Sequence, residues 1–274
     1  MPTVGADTQG VVSKDPPKTA VLKRPAKRPL SLFSRRLLSI SFWLFITFSS
    51  LVIFPFAVLV WLLTFFDRRR VILHQFTCLW GSLYTWSNPA WPITIEGREK
   101  IRRGVPYVMV ANHQSLLDIL VLFRLFRHFK WVSKVENFRV PCIGWNMSMN
   151  GYIKLVRGNQ ASVAQMLRAC AKTLGQGNPI MMFPEGTRSR DGKLRKFKTG
   201  AFTLAQRANV PILPIVIEGS GNALPKAGFI LQGLHPIKVR VLDELGPEDW
   251  PEGASAQELA DHIREIFRRE LGEA

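Results

Sequence analysis

The chain has 274 residues, with Lys+Arg 37 against Asp+Glu 20, a formal net charge of +17 and a hydrophobic fraction of 47%. That length suits one large domain or two small ones, and the charge points to an anionic partner, either nucleic acid or an anionic membrane surface. Cys78, Cys142 and Cys170 are odd in number and scattered, without C-x-x-C or Cys/His spacing, so no disulfide framework and no metal site is expected.

Residues 1–36 hold eight basic residues against Asp7 and Asp15, are rich in Pro, and lack apolar periodicity. They read as a disordered basic tail. Leu37 to Phe66 follows with 30 residues and no charge. As one helix it would be about 45 Å long, against a hydrocarbon core of about 30 Å, so membrane embedding is expected. Arg35 and Arg36 precede it and Arg68, Arg69 and Arg70 follow it. Both flanks ask for the cytoplasmic side, and Pro55 lies inside. The reading favoured is a re-entrant or hairpin pair of helices over one tilted span, at the inner, cytoplasmic membrane with the catalytic part on the cytoplasmic face. The next segment, "VILHQFTCLWGSLYTW", carries Trp80, Tyr84 and Trp86 and reads as an interfacial helix or as a core helix. Residues 37–90 form the membrane-embedded and interfacial unit on this reading, and 91–274 the catalytic domain.

Beyond residue 91 short apolar runs alternate with amphipathic ones. "ITIEG", "YVMVAN", "KWVSK", "GYIKLV", "PIMMFPEG", "PILPIVIEGS" and "PIKVRVL" predict strands. Helical patterns fall near 115–127, 160–175 and 198–208, and a last helix is capped by Ser255 with Glu258. The alternation predicts an α/β domain, a sheet flanked by helices.

Two stretches could carry chemistry. In "ANHQSLLDIL", Ala111 to Leu120, the strand is expected to end near Asn112 and Ser115 to open a helix in a capping box with Asp118. Inside one helix His113 and Asp118 would stand about 140° apart. With His113 in the preceding turn, its ring can instead fold back onto Asp118. A histidine held by a carboxylate at the carboxyl end of a strand is a candidate general base.

In "FPEGTRSRDGKLRKFKTGAF", Phe183 to Phe202, the side chains of Arg188, Arg190, Lys193, Arg195, Lys196 and Lys198 crowd together before a helix. Forked guanidinium donors and a helix start make this a candidate anion site, set against a plain solvated basic loop. A Walker A loop is excluded by the glycine spacing and by Leu194 after Lys193. Nucleic-acid binding is disfavoured, because the aromatics cluster in apolar runs and no recognition motif appears. His74, His128, His235 and His262 have structural readings.

Together "NHQSLLD", "GYIKLVRG", "FPEGTRSR" and "VPILPIVIEGS", in that order, resemble the glycerolipid acyltransferase family of 1-acyl-sn-glycerol-3-phosphate acyltransferases over residues 91 to 242. The resemblance implies that family's mixed α/β fold behind a membrane segment. It implies transfer of an acyl chain from acyl-CoA or acyl-carrier protein to the free hydroxyl of lysophosphatidate, giving phosphatidate, without a further cofactor. His113 is then the base and Asp118 its support. Arg188, with Glu185, Gly186 and Thr187 shaping the turn, would meet the glycerol phosphate, and Arg157 is a second phosphate candidate. Val156 stands where the family often has an acidic residue, so another lysophospholipid or a lyso-aminolipid, such as lyso-ornithine lipid, remains an alternative acceptor.

Overall fold

The computed structural model describes residues 31–189, 191–226, 228–250 and 252–273. The expected tail through residue 30, and Arg190 of the basic loop, lie outside the described residues.

All seven expected strands form: β1 (Ile93–Glu96), β2 (Val108–Ala111), β3 (Lys130–Lys134), β4 (Ile153–Leu155), β5 (Ile180–Met182), β6 (Ile212–Glu218) and β7 (Ile237–Val241). They build one sheet in the order β1-β7-β6-β2-β5-β3-β4. Every neighbouring pair is parallel except β6 with β7, so the sheet is mixed and β1 and β7 run against the other five. Alternation of side chains along each strand separates two cores. Met109 and Ala111 of β2 and Leu213, Ile215 and Ile217 of β6 face one layer. Val108 and Val110, with Ile212 and Val216, face the other.

The helices are α1 (Leu32–Leu63), α2 (Val71–Trp86), α3 (Leu117–Phe123), α4 (Ile143–Met149), α5 (Gln160–Gly175), α6 (Gly200–Ala208), α7 (Ser220–Ala223) and α8 (Ala256–Leu271). The α2 and α3 helices cover the first face of the sheet, while α5, α6 and α8 cover the second. The capping box of α8 forms as expected: Ser255 Oγ accepts from Glu258 N at 3.2 Å and Glu258 accepts from Ser255 N at 2.8 Å.

Two expectations are corrected, and the reading left open for α2 is refined. The apolar stretch is no hairpin: α1 is a single 32-residue helix that passes through Pro55 and begins five residues before Leu37. Proline removes one helical hydrogen bond, whereas a chain reversal in apolar surroundings would orphan many backbone groups at once. Next, α2 packs on the core through one face, while Ile72, Leu79 and Trp86 stay exposed on the other. Trp80 and Tyr84 are buried, Trp80 Nε1 donates to Tyr84 Oη at 2.6 Å, and His74 is sealed between Tyr152 Oη and the Arg127 carbonyl at 2.8 and 3.0 Å. The polar ends of Trp80 and Tyr84 are thus satisfied inside the protein. Finally, α3 is only seven residues long and starts at Leu117.

One helix of the described residues, α1, is long and apolar enough to cross a membrane. It also lies against the domain along much of its length. Trp43 Nε1 donates to the Phe229 carbonyl at 2.8 Å, Ser50 Oγ bonds Tyr84 Oη at 3.1 Å, and Phe54 packs on Trp145.

Candidate active site

The site is built where β2 ends. Asn112 continues the ladder with its side chain, donating to Ile217 O at 2.8 Å and accepting from Ile217 N at 2.7 Å. That amide pins the strand end and delivers His113 into the turn. His113 is then fixed on every side but one. Its N–H donates to Glu185 Oε1 at 2.6 Å, its carbonyl accepts from Ser189 N at 2.8 Å, and its ring stacks on Phe183 with centroids 3.9 Å apart.

The ring Nδ1 lies 2.8 Å from Asp118 Oδ2. That same oxygen accepts from Gln114 N at 2.7 Å and Ser115 N at 2.8 Å, while Oδ1 is buried without a partner among the described residues. Asp118 therefore receives the turn's backbone donors and holds the imidazole at once. The carboxylate fixes Nδ1 as the protonated nitrogen, so Nε2 is the basic atom, and no described residue bonds it. Only half of the expected capping box forms. Ser115 Oγ accepts from Leu117 N at 3.2 Å, one residue short of Asp118, and donates to Leu224 O at 2.7 Å. The turn tightens because Ser115 anchors the distant loop after α7.

Both Glu185 carboxylate oxygens are already engaged by backbone donors. The residue is 3% exposed, and those oxygens accept from the backbone of His113 and of Arg195, the latter at 3.1 Å. It ties the two sequence stretches together. Burial, with the nearby negative charge of Asp118, pushes its carboxyl up to about 7, against the pull of those two N–H donors.

Gly186 has φ +69°, and a Cβ there would lie 2.9 Å from Lys198 Cε, so a glycine meets both demands of the turn. Thr187 faces Lys226 Nζ, which lies 3.4 Å from its hydroxyl and donates to the Arg188 carbonyl at 2.6 Å. The Arg188 guanidinium makes no hydrogen bond to a described residue. Burial lowers its pKa, the field of Asp118 raises it, and that of Arg157 lowers it again. Arg157 and Arg188, far apart in sequence, therefore feel each other across the site. No salt bridge to a described residue holds either guanidinium, so each is open to an anion.

Two openings flank His113. A cleft of about 1080 Å³ starts at Phe183, Glu185 and Gly186 and runs over the carboxyl ends of β3, β4 and β5. Arg157, Lys193, Arg195, Lys196 and Lys198 line it, with an apolar wall of Leu155, Met166 and Met182. A second cavity of about 700 Å³ opens on the other side, at Gln114, Ser189 and Lys226. Among the described residues no three His, Cys, Asp or Glu side chains gather as a metal site. Burial also pushes up the thiols of Cys78 and Cys170, leaving no activated thiolate there.

The structure thus joins His113, Asp118 and Glu185 directly. It places Arg157, Glu185 and Gly186 on the larger cleft, and turns Thr187 away from it. Sequence reasoning gave no role to Asn112 or Phe183, although both adjoin quoted motif residues. Their partners, Ile217 and the His113 ring, come from elsewhere in the fold.

The site is thus a carboxylate-held histidine at the end of β2, with a cation-lined cleft and a second cavity next to its neighbours in the chain. Comparison with known proteins gives that description a family. Residues 92–218 match the acyltransferase family profile. The chain is 39% identical over 208 residues to a 1-acyl-sn-glycerol-3-phosphate acyltransferase of Chlamydomonas reinhardtii, covering 75% of this chain and 60% of that protein. It is 43% identical over 162 residues to the chloroplastic 1-acyl-sn-glycerol-3-phosphate acyltransferase LPAT1 of Arabidopsis thaliana, covering 58% and 45%. The crystal structure of the 1-acyl-sn-glycerophosphate acyltransferase PlsC from Thermotoga maritima superposes with a TM-score of 0.71 at 26% identity, covering 87% of this chain and 97% of that one. The chain belongs to the 1-acyl-sn-glycerol-3-phosphate acyltransferase family, and it spans about half the length of the two curated relatives.

Proposed function

We propose that this protein transfers an acyl chain from an acyl thioester to the free sn-2 hydroxyl of 1-acylglycerol 3-phosphate, releasing phosphatidate and a free thiol. The observation that carries the reading is the His113–Asp118 pair, 2.8 Å apart, with Arg157 on the cation-lined cleft that starts at Phe183. His113 Nε2 takes the proton of the acceptor hydroxyl as its oxygen attacks the thioester carbonyl. Asp118 offsets the charge of the imidazolium that forms. When the tetrahedral intermediate collapses, the C–S bond breaks and the same proton passes to the departing thiolate. Arg157 and Arg188 hold the acceptor phosphate, which orients the hydroxyl toward Nε2. Attack is direct, so no acyl-enzyme is required.

The donor is an acyl-CoA or an acyl-carrier protein. Both carry phosphate on the thiol arm, which suits the cations of Lys193, Arg195, Lys196 and Lys198 around the apolar wall of the cleft. Membrane association through α1 supports a bilayer-borne acceptor. Contacts from Trp43 to Ala57 span about 20 Å of helix, so an upright α1 would draw the domain into the hydrocarbon. We place α1 within one leaflet instead, with the domain on the cytoplasmic side that its basic flanks favour. The Arabidopsis relative is chloroplastic, so the resemblance does not choose the membrane.

Val156 keeps a second reading in play, acylation of another lysophospholipid or a lyso-aminolipid. It is 42% exposed beside Arg157, so the position normally filled by an acid opens onto the site's edge. A panel of lyso-lipids offered to the purified full chain with one acyl-CoA decides. Preference for lysophosphatidate is expected, and preference for a zwitterionic or amino head group would refute the phosphate assignment.

A further inference from the structure

The cleft must receive an acceptor that is dissolved in a bilayer, yet Arg157 sits on the domain and not on α1. Several places outside α1 carry bulky apolar side chains in the open, among them Phe65, Ile72, Leu79, Trp86 and Phe229. One such place adjoins Arg157. Val140, Ile143 and Trp145 are 44%, 37% and 51% exposed around the start of α4, and Val156 is 42% exposed at the end of β4. Exposed apolar groups gathered in this way mark an interaction surface. The α4 lip is held by an unusual backbone. Cys142 has φ 60°, and Gly144 presses so closely on the Phe138 carbonyl that no Cβ would fit. The buried face of α4 is polar: Asn146 bonds Thr77 from α2, its Nδ2 donating at 3.0 Å. Ile143 and Trp145 are thus on the outside while Asn146 is turned in, and Met147 and Met149 pack partly against the core.

Two features name the occupant. Trp145 packs on Phe54 of α1, centroids 5.4 Å apart, so the lip is continuous with the long apolar helix. The segment is also cationic: Arg139, Lys154 and Arg157 are exposed, and its one acid, Glu136, is paired to Lys134 at 3.1 Å. An apolar ridge edged with cations suits the headgroup boundary of an anionic leaflet. We propose that the α4 lip docks on the same leaflet as α1 and sets Arg157 at headgroup depth, so that the lysolipid slides sideways into the cleft. The delivery role rests on the lysophosphatidate reading, whereas the docking role does not.

The test uses the full chain with Ser148→Cys, exposed one turn beyond Trp145 and labelled with an environment-sensitive fluorophore. Cys78, Cys142 and Cys170 are buried, which directs the label. With vesicles of phosphatidylcholine and phosphatidylglycerol, its emission should shift to the blue and be quenched by lipids bearing a shallow nitroxide, as for a label at Phe48→Cys on α1. A label at 148 that stays in water while the one at 48 is quenched overturns the proposal. So does a blue shift that appears without vesicles and grows with protein concentration, which would show a second copy on the lip. In the kinetic arm, the Val140→Ser/Ile143→Ser double variant should lose about tenfold in kcat/KM on lysophosphatidate held in vesicles, from the lost apolar contact. It should keep its rate on a short-chain, water-soluble lysophosphatidate. Equal losses on both acceptors, or none, overturn the delivery role. If the label at 148 is quenched but the wild-type chain acylates neither acceptor, the surface stands and the acceptor assignment falls.

Discussion

Exchange of Asp118 for Asn separates the two tasks of that carboxylate. Oδ2 accepts three N–H groups at 2.7–2.8 Å, and Oδ1 has no partner among the described residues. An Asn carbonyl can take the place of Oδ2 and its NH₂ that of Oδ1, so the turn keeps all three bonds while the charge is lost. Charge-assisted bonds are about twice as strong as neutral ones, so three weakened bonds cost about 2–3 kcal/mol. Relief of a buried charge with one unpaired oxygen offsets part of this, and the net loss of stability should be about 1–2 kcal/mol. The effect on catalysis is larger. The imidazolium formed at His113 loses its counter-charge, and kcat should fall about 10²–10³-fold, or about 3–4 kcal/mol at 1.36 kcal/mol per decade. The assay is thiol release with saturating lysophosphatidate, beside thermal unfolding in the same detergent. His113→Ala alone should lose about 10²–10⁴-fold in kcat, and its stability should fall as well because the stacked ring and a bond to Asp118 are removed. Because Asp118 acts through the ring, His113→Ala/Asp118→Asn should be no slower than His113→Ala. Multiplied losses in the double variant, or near wild-type kcat in Asp118→Asn, would refute the pairing as the source of basicity.

Arg188→Ala and Arg157→Ala should each raise the KM for lysophosphatidate about tenfold or more, as loss of a charged hydrogen bond of about 1.5–3 kcal/mol implies, with a smaller effect on the KM for donor. Unchanged acceptor KM in both would remove the phosphate site. Glu185 has a folded pKa of about 7, above its ordinary 4.5, so the folded state binds its proton more tightly than the unfolded state does. Its contribution is fully present below about pH 4.5 and is lost as pH rises through about 7, by about 3 kcal/mol in all. The unfolding free energy of wild type minus that of Glu185→Gln should fall across that window, and a flat difference would contradict the burial argument. Lys130 runs the other way. It is 4% exposed, donates to the carbonyls of Arg69 and Asn150 at 2.7 and 2.6 Å, and burial lowers its pKa to about 8. Here the unfolded state holds the proton more tightly, so wild type should gain stability relative to Lys130→Met as pH rises from about 8 to 10.5. Parallel pH curves for the two would show that the ammonium is not desolvated.

How much was legible in the sequence differs by element. The seven strands could be read because each is a short β-prone run between turn residues, and the last helix because its capping box and apolar face are local signals. The α4 helix was missed, since seven residues with a polar buried face show no amphipathic period. The turn of α1 at Pro55 was expected on local propensity, and the backbone's need for internal partners in apolar surroundings overrode it. The nature of α2 was open for a related reason: Trp80, Tyr84 and Trp86 look alike in sequence, and only the partners of Trp80 and Tyr84 show that those two are inside.

The candidate site divides along the same line. By itself the sequence determined the residue types, a His and an Asp five apart after a strand and a basic loop after Pro-Glu-Gly, because these follow from local pattern and chemistry. Only the tertiary structure decided what they do together. Glu185 became a brace, because its oxygens meet the backbone of His113 72 residues away and of Arg195. Arg157 came to share a cleft with Glu185 and Gly186 because the parallel β3–β4 and β3–β5 pairings bring the carboxyl ends of β4 and β5 to the same end of the sheet. Spacing along a chain specifies what a residue can bond; the order of strands in a sheet specifies what it meets.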